Sequence, residues 1–398
     1  MNRKPSLLII FLTVFIDLIG FGIVMPLLPL YSERFGAHGY MIGMIIASFS
    51  VMQFLFAPAW GRLSDRIGRR PVLLIGNFGS AVSYGLFAVA SGFSGGTGLF
   101  ILLLSRVFAG ICGATLSVAS AYIADVSSRE SRSKSMGLIG MAFGLGFIFG
   151  PAIGSFSYAK FGITAPGWFA AAFCLGNFIL ASFVLVESRK PDSERASERP
   201  KLQQWTQILR QPVVGFLIVI YFVATFCFAC FESTFGLLLK NNLNYNEKHV
   251  GLLFTYCGLL GAIIQGGAIG RLIKKWGEQK LIFGSLFLVA ISLAMLPYFP
   301  NLTGLLLGLG LFASASGVNR PPTFGLISLN TPPDEQGAAL GVAQSAGSLA
   351  RIFGPVFATT AYAFQPALPY LIAAVLALAA SAFAWIRLCR PGSPGVAH

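Results

Sequence analysis

The chain has 398 residues, of which 55% are hydrophobic and only 11% charged, with a net charge of +14 and a mean hydropathy of +0.75. Soluble domains carry about 25% charged residues, so this composition excludes a water-soluble globular protein and makes lipid the solvent. Hydrocarbon offers no partner to backbone N–H and C=O groups, which leaves helices or closed barrels as spanning structures. Apolar runs such as Leu7–Leu30 and Leu99–Ala124 reach the roughly 20 residues a helical span needs and lack the alternation of a barrel strand.

In chain order, spans are predicted near 6–30, 40–60, 71–92, 97–124, 133–158 and 166–186, then near 212–239, 247–269, 280–298, 302–329, 336–363 and 366–388. The basic start is not followed by a small-residue cleavage site after Leu7–Phe15, so it reads as the first span rather than a removable signal. The polar segment 187–211, with Pro191 and Pro200, reads as a linker between halves 1–186 and 212–398. The expected fold is thus an all-α membrane protein of twelve transmembrane helices in two pseudo-symmetric six-helix bundles.

The basic residues sort by side. Arg3, Lys4, Arg62, Arg66, Arg69, Arg70, Arg129, Arg132, Lys134, the linker cations, Arg271, Lys274, Lys275, Lys280, Arg387 and Arg390 share one face; Arg34, Lys160, Lys240 and Lys248 take the other. Basic loops stay cytoplasmic, so both termini are expected inside the plasma (inner) membrane. The positive charge reports topology, with attraction to anionic lipid second, and no nucleic-acid partner is expected.

The halves repeat each other. Gly61-Arg62-Leu63 and Gly68 recur as Gly270-Arg271-Leu272 and Gly277; Gly137, Ala142, Phe149, Gly150 and Pro151 recur as Gly341, Ala346, Phe353, Gly354 and Pro355. Two similar bundles that rock about a shared site are a physical basis for alternating access.

Of 14 acids, only Asp17 and Glu232 fall inside spans, each on the first helix of its half. An ionisable group in lipid is costly and faces a cavity or a partner. Low dielectric penalises the charged carboxylate, so such a group can load a proton on one side and release it on the other. The bland alternative is a structural hydrogen bond or ion pair, for example Asp17 with Arg106. Arginine keeps its proton, so Arg106 suits locking a carboxylate or holding an anion; Arg351 is placed near a cavity, and Arg320 is read as snorkelling or structural. Gln53, Gln265 and Gln344 either line the route or bond neighbouring helices. Phe228, Phe231 and Phe235 beside Glu232 either line an apolar binding surface or pack the core. Gly144, Gly146, Gly150-Pro151 and Gly154 on the fifth helix allow close approach and a kink between halves. Five of the six cysteines lie in apolar segments, so Cys227 and Cys230 are read as small interior residues and no disulfide framework is expected.

No phosphate loop, metal-spaced cluster or nucleophile–base pair is present in the sequence, so no ATP use, metal, cofactor or enzymatic activity is expected. A small-molecule substrate, protons and the lipid bilayer are the expected partners.

Several stretches resemble one family. Gly61-Arg62-Leu63-Ser64-Asp65-Arg66-Ile67-Gly68-Arg69-Arg70 is similar to the signature loop of the major facilitator superfamily. Arg106–Gly110 resembles the fourth-helix motif of its proton-coupled members, and Gly146–Gly154 the fifth-helix motif of its antiporters. Asp17–Gly22 with Met25-Pro26 and Pro29 is similar to the first helix of drug:proton antiporters, above all the tetracycline-exporter branch. The resemblance covers essentially the whole chain. It implies a monomeric, proton-coupled exporter of small lipophilic or amphipathic compounds, with Asp17, Glu232 and Arg106 in proton coupling. It also implies that Gly61, Asp65, Arg69 and Asp125 form a cytoplasmic gate, with Asp65 near the eleventh helix around Gly337–Gly341. Two departures stand out: Gly79–Tyr84 has no acid where tetracycline exporters carry one, which argues against tetracycline itself, and Ser155 replaces a motif glycine. The alternatives are a facilitator or importer of a specific metabolite or organic anion held by Arg351, and a receptor or scaffold that moves nothing.

Overall fold

A computed structural model describes residues 5–127, 132–188, 202–332 and 335–389. The linker residues 189–201, together with Arg3, Lys4, Arg129, Glu130, Asp334 and Arg390, lie outside the described residues.

The described residues form helices and no strand. In order they are α1 (Leu7–Val24), α2 (Leu28–Arg34), α3 (Tyr40–Ile67), α4 (Arg69–Ala90), α5 (Gly95–Gly113), α6 (Leu116–Val126), α7 (Arg132–Phe161) and α8 (Ala165–Val184). There follow α9 (Leu202–Arg210), α10 (Pro212–Leu243), α11 (Glu247–Ile263), α12 (Ile269–Met295), α13 (Leu302–Leu329), α14 (Gln336–Phe364) and α15 (Leu368–Ala384). A 3₁₀ turn at Met25–Leu27 joins α1 to α2, so Leu7–Arg34 is one 28-residue span, while α5 and α6 together make the 32-residue span Gly95–Val126.

Among the described residues, ten stretches are long and apolar enough to cross a membrane. One of them, Glu247–Tyr298, is 52 residues long and holds two crossings, parted where Gly277 takes φ 76°. The twelfth crossing is α14, a more polar helix that carries Gln344 and Arg351. The twelve-helix fold expected from the sequence is therefore present.

Two boundaries differ from expectation. Helix α3 runs on to Ile67, so the signature stretch expected as a loop is helical up to a break at Gly68. The linker ends in a helix of its own, α9.

Chain contacts divide the molecule into two compact units. The first holds residues 1–196 and 245–259; the second holds 197–244 and 260–398. Their internal packing repeats. In the first unit α1 packs on α7, and α4 packs on α5 and α8; in the second α10 packs on α14, and α12 packs on α13 and α15. The first helix of each bundle thus pairs with the fifth, and the third with the fourth and sixth.

Glycine makes the closest of these contacts. A Cβ on Gly150 would lie 2.6 Å from the Gly22 Cα, and one on Gly22 would lie 2.5 Å from the Gly146 carbonyl oxygen. Backbones of α1 and α7 therefore touch, as small residues permit in membrane helices. The glycine-rich face expected to meet the other half of the sequence is used here inside its own bundle. The same helix also meets the start of α11: the Ser155 hydroxyl donates to the Lys248 carbonyl at 2.6 Å, and Gly251 sits against the Pro151 carbonyl oxygen.

Candidate functional site

In the first unit, Asp17 lies mid-way along α1 and is half-buried. Its carboxylate accepts from the Cys174 thiol of α8 at 3.7 Å and from the Ser80 hydroxyl of α4. Arg106 of α5 is 2% exposed, yet it makes no ion pair with Asp17. Its guanidinium lies 5.6 Å from the ring centres of both Tyr84 and Phe87, and its Nε and Nη2 atoms have no hydrogen-bond partner. The ion pair between Arg106 and Asp17 that stood as the bland alternative is not formed, and Tyr84 lies near enough to feel the charge of both groups. The π-faces of Tyr84 and Phe87 offset part of the cost of an unpaired buried cation.

Gly20 explains why these groups can converge. A Cβ there would lie 3.0 Å from both the Cys174 Sγ and the Tyr84 ring, so the small residue one turn beyond Asp17 lets α4 and α8 close around the carboxyl.

In the second unit, Glu232 of α10 is 6% exposed and its Oε1 atom has no hydrogen-bond partner. Aromatic rings surround this stretch. The Phe231 centroid is 4.7 Å from Phe235 and 4.2 Å from Phe312 of α13, and Phe228 stacks on Phe312 at 6.1 Å. Phe231 and Phe235 are shut inside this aromatic core, at 1% and 0% exposure. They wall the helix beside Glu232 instead of lining an open surface, a correction to the expected cavity; Phe228 stays half-buried. Arg351 of α14 feels the charges of Glu232 and Arg320 and is hydrogen-bonded to Tyr221. It also donates to the Ser348 hydroxyl at 3.3 Å.

The three glutamines part ways. Gln53 donates to the Gly113 carbonyl at 3.1 Å and so joins α3 to α5. Gln344 is exposed on α14, and Gln265 is exposed in a π-helical turn, Ile264–Ala268, a feature frequent at functional sites.

The charge cluster expected from the signature stretch is assembled within the first unit. Arg69 bridges Asp65 at 2.8 Å and Asp125 at 3.2 Å and donates to the Ser64 hydroxyl at 2.6 Å. Gly61 supplies the carbonyl that accepts from that same hydroxyl at 2.8 Å. Sequence reasoning missed Glu187. Its Oε1 accepts the Arg69 backbone N–H at 2.8 Å and its Oε2 that of Arg70 at 3.0 Å. The carboxylate thus caps α4, where the helix dipole favours negative charge. Gly68 is required twice over, by φ 101° and because a Cβ there would strike the Glu187 carboxylate. Ser188 adds a bond to Asp125 at 3.0 Å. The available signal was an acid directly after a span end, opposite a glycine that interrupts two helices.

Comparison with known proteins follows this architecture. The Major Facilitator Superfamily pattern matches residues 10–280 and 217–397. The class E tetracycline resistance protein of Escherichia coli is 33% identical over 372 residues, covering 89% of this chain and 87% of that protein. Multidrug resistance protein 2 of Bacillus subtilis (strain 168) is 28% identical over 378 residues, covering 94% and 92%. The crystal structure of the human organic anion transporter MFSD10 (TETRAN) superposes with a TM-score of 0.72 at 26% identity, covering 96% of this chain and 100% of that one. With the likeness to resistance proteins running over nearly the full length of each chain, the chain belongs to the Major Facilitator Superfamily, as a transporter akin to its tetracycline and multidrug resistance members.

Proposed function

We propose that the chain is a proton-coupled antiporter that exports small lipophilic or amphipathic compounds by alternating access. The observation that carries this reading is the pair Asp17 and Glu232: carboxyls on the first helix of each half, neither held in an ion pair. A carboxyl that is not locked to a cation is free to exchange a proton for a substrate. The likeness to tetracycline and multidrug resistance proteins supports the export direction.

Arg106 acts on Asp17 through Tyr84, and Phe228, Gln265, Gln344 and Arg351 face the substrate. Residues 1–186 and 212–398 move as the two bundles. The Asp65–Arg69–Asp125 cluster gates the cytoplasmic side; Gly150 and Pro151 give α7 its bend. The protein works as a monomer in the plasma (inner) membrane with both termini in the cytoplasm.

The test is substrate efflux from proteoliposomes driven by an imposed pH gradient. Asp17→Asn and Glu232→Gln are each expected to abolish coupling. Full proton-driven efflux in both variants contradicts the proposal.

A second reading is favoured by one observation. Arg351, with Tyr221 and Ser348 beside it, is built to hold an anion, and MFSD10 is an organic anion transporter by its description. Under this reading flux of an aromatic carboxylate depends on Arg351 and is lost in Arg351→Ala. Under the first reading a neutral lipophilic substrate still moves in that variant.

A further inference from the structure

Where the second unit leaves the linker, a cleft of about 530 Å³ opens between α9, α10 and the end of α15. Its walls are Leu209, Pro212, Phe216, Val219 and Phe383, and its polar members are Gln211 and Arg387. Gln211 is engaged, donating to the Glu335 carboxylate at 3.4 Å. Arg387 is not: it is exposed, and its guanidinium lies over the Phe216 ring at 5.6 Å without an ion pair among the described residues.

Three features fix this geometry. The end of α15 becomes π-helical over Trp385–Cys389, which turns Arg387 toward α10; such bulges recur at functional positions. Gly215 holds the corner, because a Cβ there would run into the Leu209 carbonyl. Val219 is 55% and Phe383 59% exposed, so the inner end of the cleft opens to hydrocarbon. Eight residues of helix separate Gln211 from Val219, roughly 12 Å, so one end lies at headgroup depth and the other among acyl chains.

We propose that this cleft is a binding site for an anionic phospholipid, with the phosphate on Arg387 and an acyl chain along Phe216, Val219 and Phe383. Charge complementarity selects the occupant. A neutral chain would fill the apolar wall but leave Arg387 unmatched, whereas an anionic headgroup satisfies both ends. Arg210, exposed at the end of α9, and Lys280, close enough to act on Cys389, add to the positive field at the same end. A juxtamembrane cation contributes about fivefold in affinity for an anionic surface.

The test is native mass spectrometry of the full-length protein, extracted from bilayers of equal phosphatidylglycerol and phosphatidylcholine. The account expects bound phosphatidylglycerol enriched about fivefold over phosphatidylcholine. Arg387→Gln brings the two lipids to parity, Arg387→Lys keeps the enrichment, and Val219→Trp, which fills the cleft, lowers retention of both. Lys275→Gln, an exposed cation outside the cleft, serves as control and leaves the enrichment in place. Equal retention by the unaltered protein, or an equal loss in Arg387→Gln and Lys275→Gln, overturns the proposal. The readout does not depend on transport, so it stands or falls separately from the antiport reading.

Discussion

Asp17 and Glu232 both lie on the first helices of two repeated bundles, yet they keep different company. Asp17 sits among hydrogen-bonding groups, with Cys174 and Ser80 on the carboxylate and Tyr84 leading to Arg106. Glu232 is buried with one oxygen unpartnered and Arg351 as its charged neighbour. The scaffold was kept and the surroundings diverged.

The breaks between the second and third helices of each half diverge in the same manner. At the offset that maps Gly68 onto Gly277, Asp65 and Arg69 correspond to Lys274 and Glu278, a pair of reversed sign. The first pair is a 2.8 Å ion pair extended to Asp125; no ion pair joins the second among the described residues. The first half holds an ion-pair cluster at this break, and among the described residues the second half does not.

The largest expected effect lies in the glycine contacts. Gly150→Leu drives a side chain into the backbone of α1 and should cost about 3 kcal/mol, the upper range for overpacking. Gly354→Ala places a methyl 2.7 Å from the Ala229 methyl, with the nearest backbone atom, the Phe226 carbonyl oxygen, at 3.4 Å, and should cost about 1 kcal/mol. Thermal melting in one detergent measures both; equal losses would break the distinction between backbone and side-chain contact.

Next comes the ion-pair cluster. Arg69→Gln leaves Asp65 and Asp125 without their shared partner and should destabilise the first unit by roughly 1–2 kcal/mol, discounted because both carboxylates are partly solvated. Glu278→Gln, at the equivalent place, should change melting by less than about 0.5 kcal/mol. A comparable loss in both would mean that the second half holds such a cluster as well.

A smaller effect is expected at Glu187. Glu187→Ala removes the carboxylate that caps α4 and should cost about 1 kcal/mol, with Glu187→Gln between it and the unaltered protein. Hydrogen exchange at Arg69 and Arg70 checks this directly: protection should fall in the alanine variant first.

Much of this was legible in the sequence because lipid makes charge rare. Asp17, Glu232, Arg106 and Arg351 stood out as ionisable groups in apolar runs, and the constant offset between halves revealed the repeat before any contact was known. What the sequence hid depends on tertiary encounter. Tyr84, Cys174 and Tyr221 are ordinary residues in apolar helices and gain meaning only from the side chains they meet. Glu187 looked like one more loop acid until its carboxylate was found on the α4 backbone. Phe231 and Phe235 misled for the same reason, since composition cannot separate an aromatic core from an aromatic cavity wall. The π-helical turns at Ile264–Ala268 and Trp385–Cys389 leave no mark in hydrophobic periodicity.

The central claim is that the two unlocked carboxyls exchange protons for substrate. The most direct measurement is simultaneous proton and substrate flux in proteoliposomes carrying the unaltered protein, Asp17→Asn or Glu232→Gln. The account predicts opposed proton and substrate fluxes in the unaltered protein. In each variant the coupled flux should fall about tenfold or more, an effect of at least about 1.4 kcal/mol. Coupled fluxes that survive in both variants would contradict it.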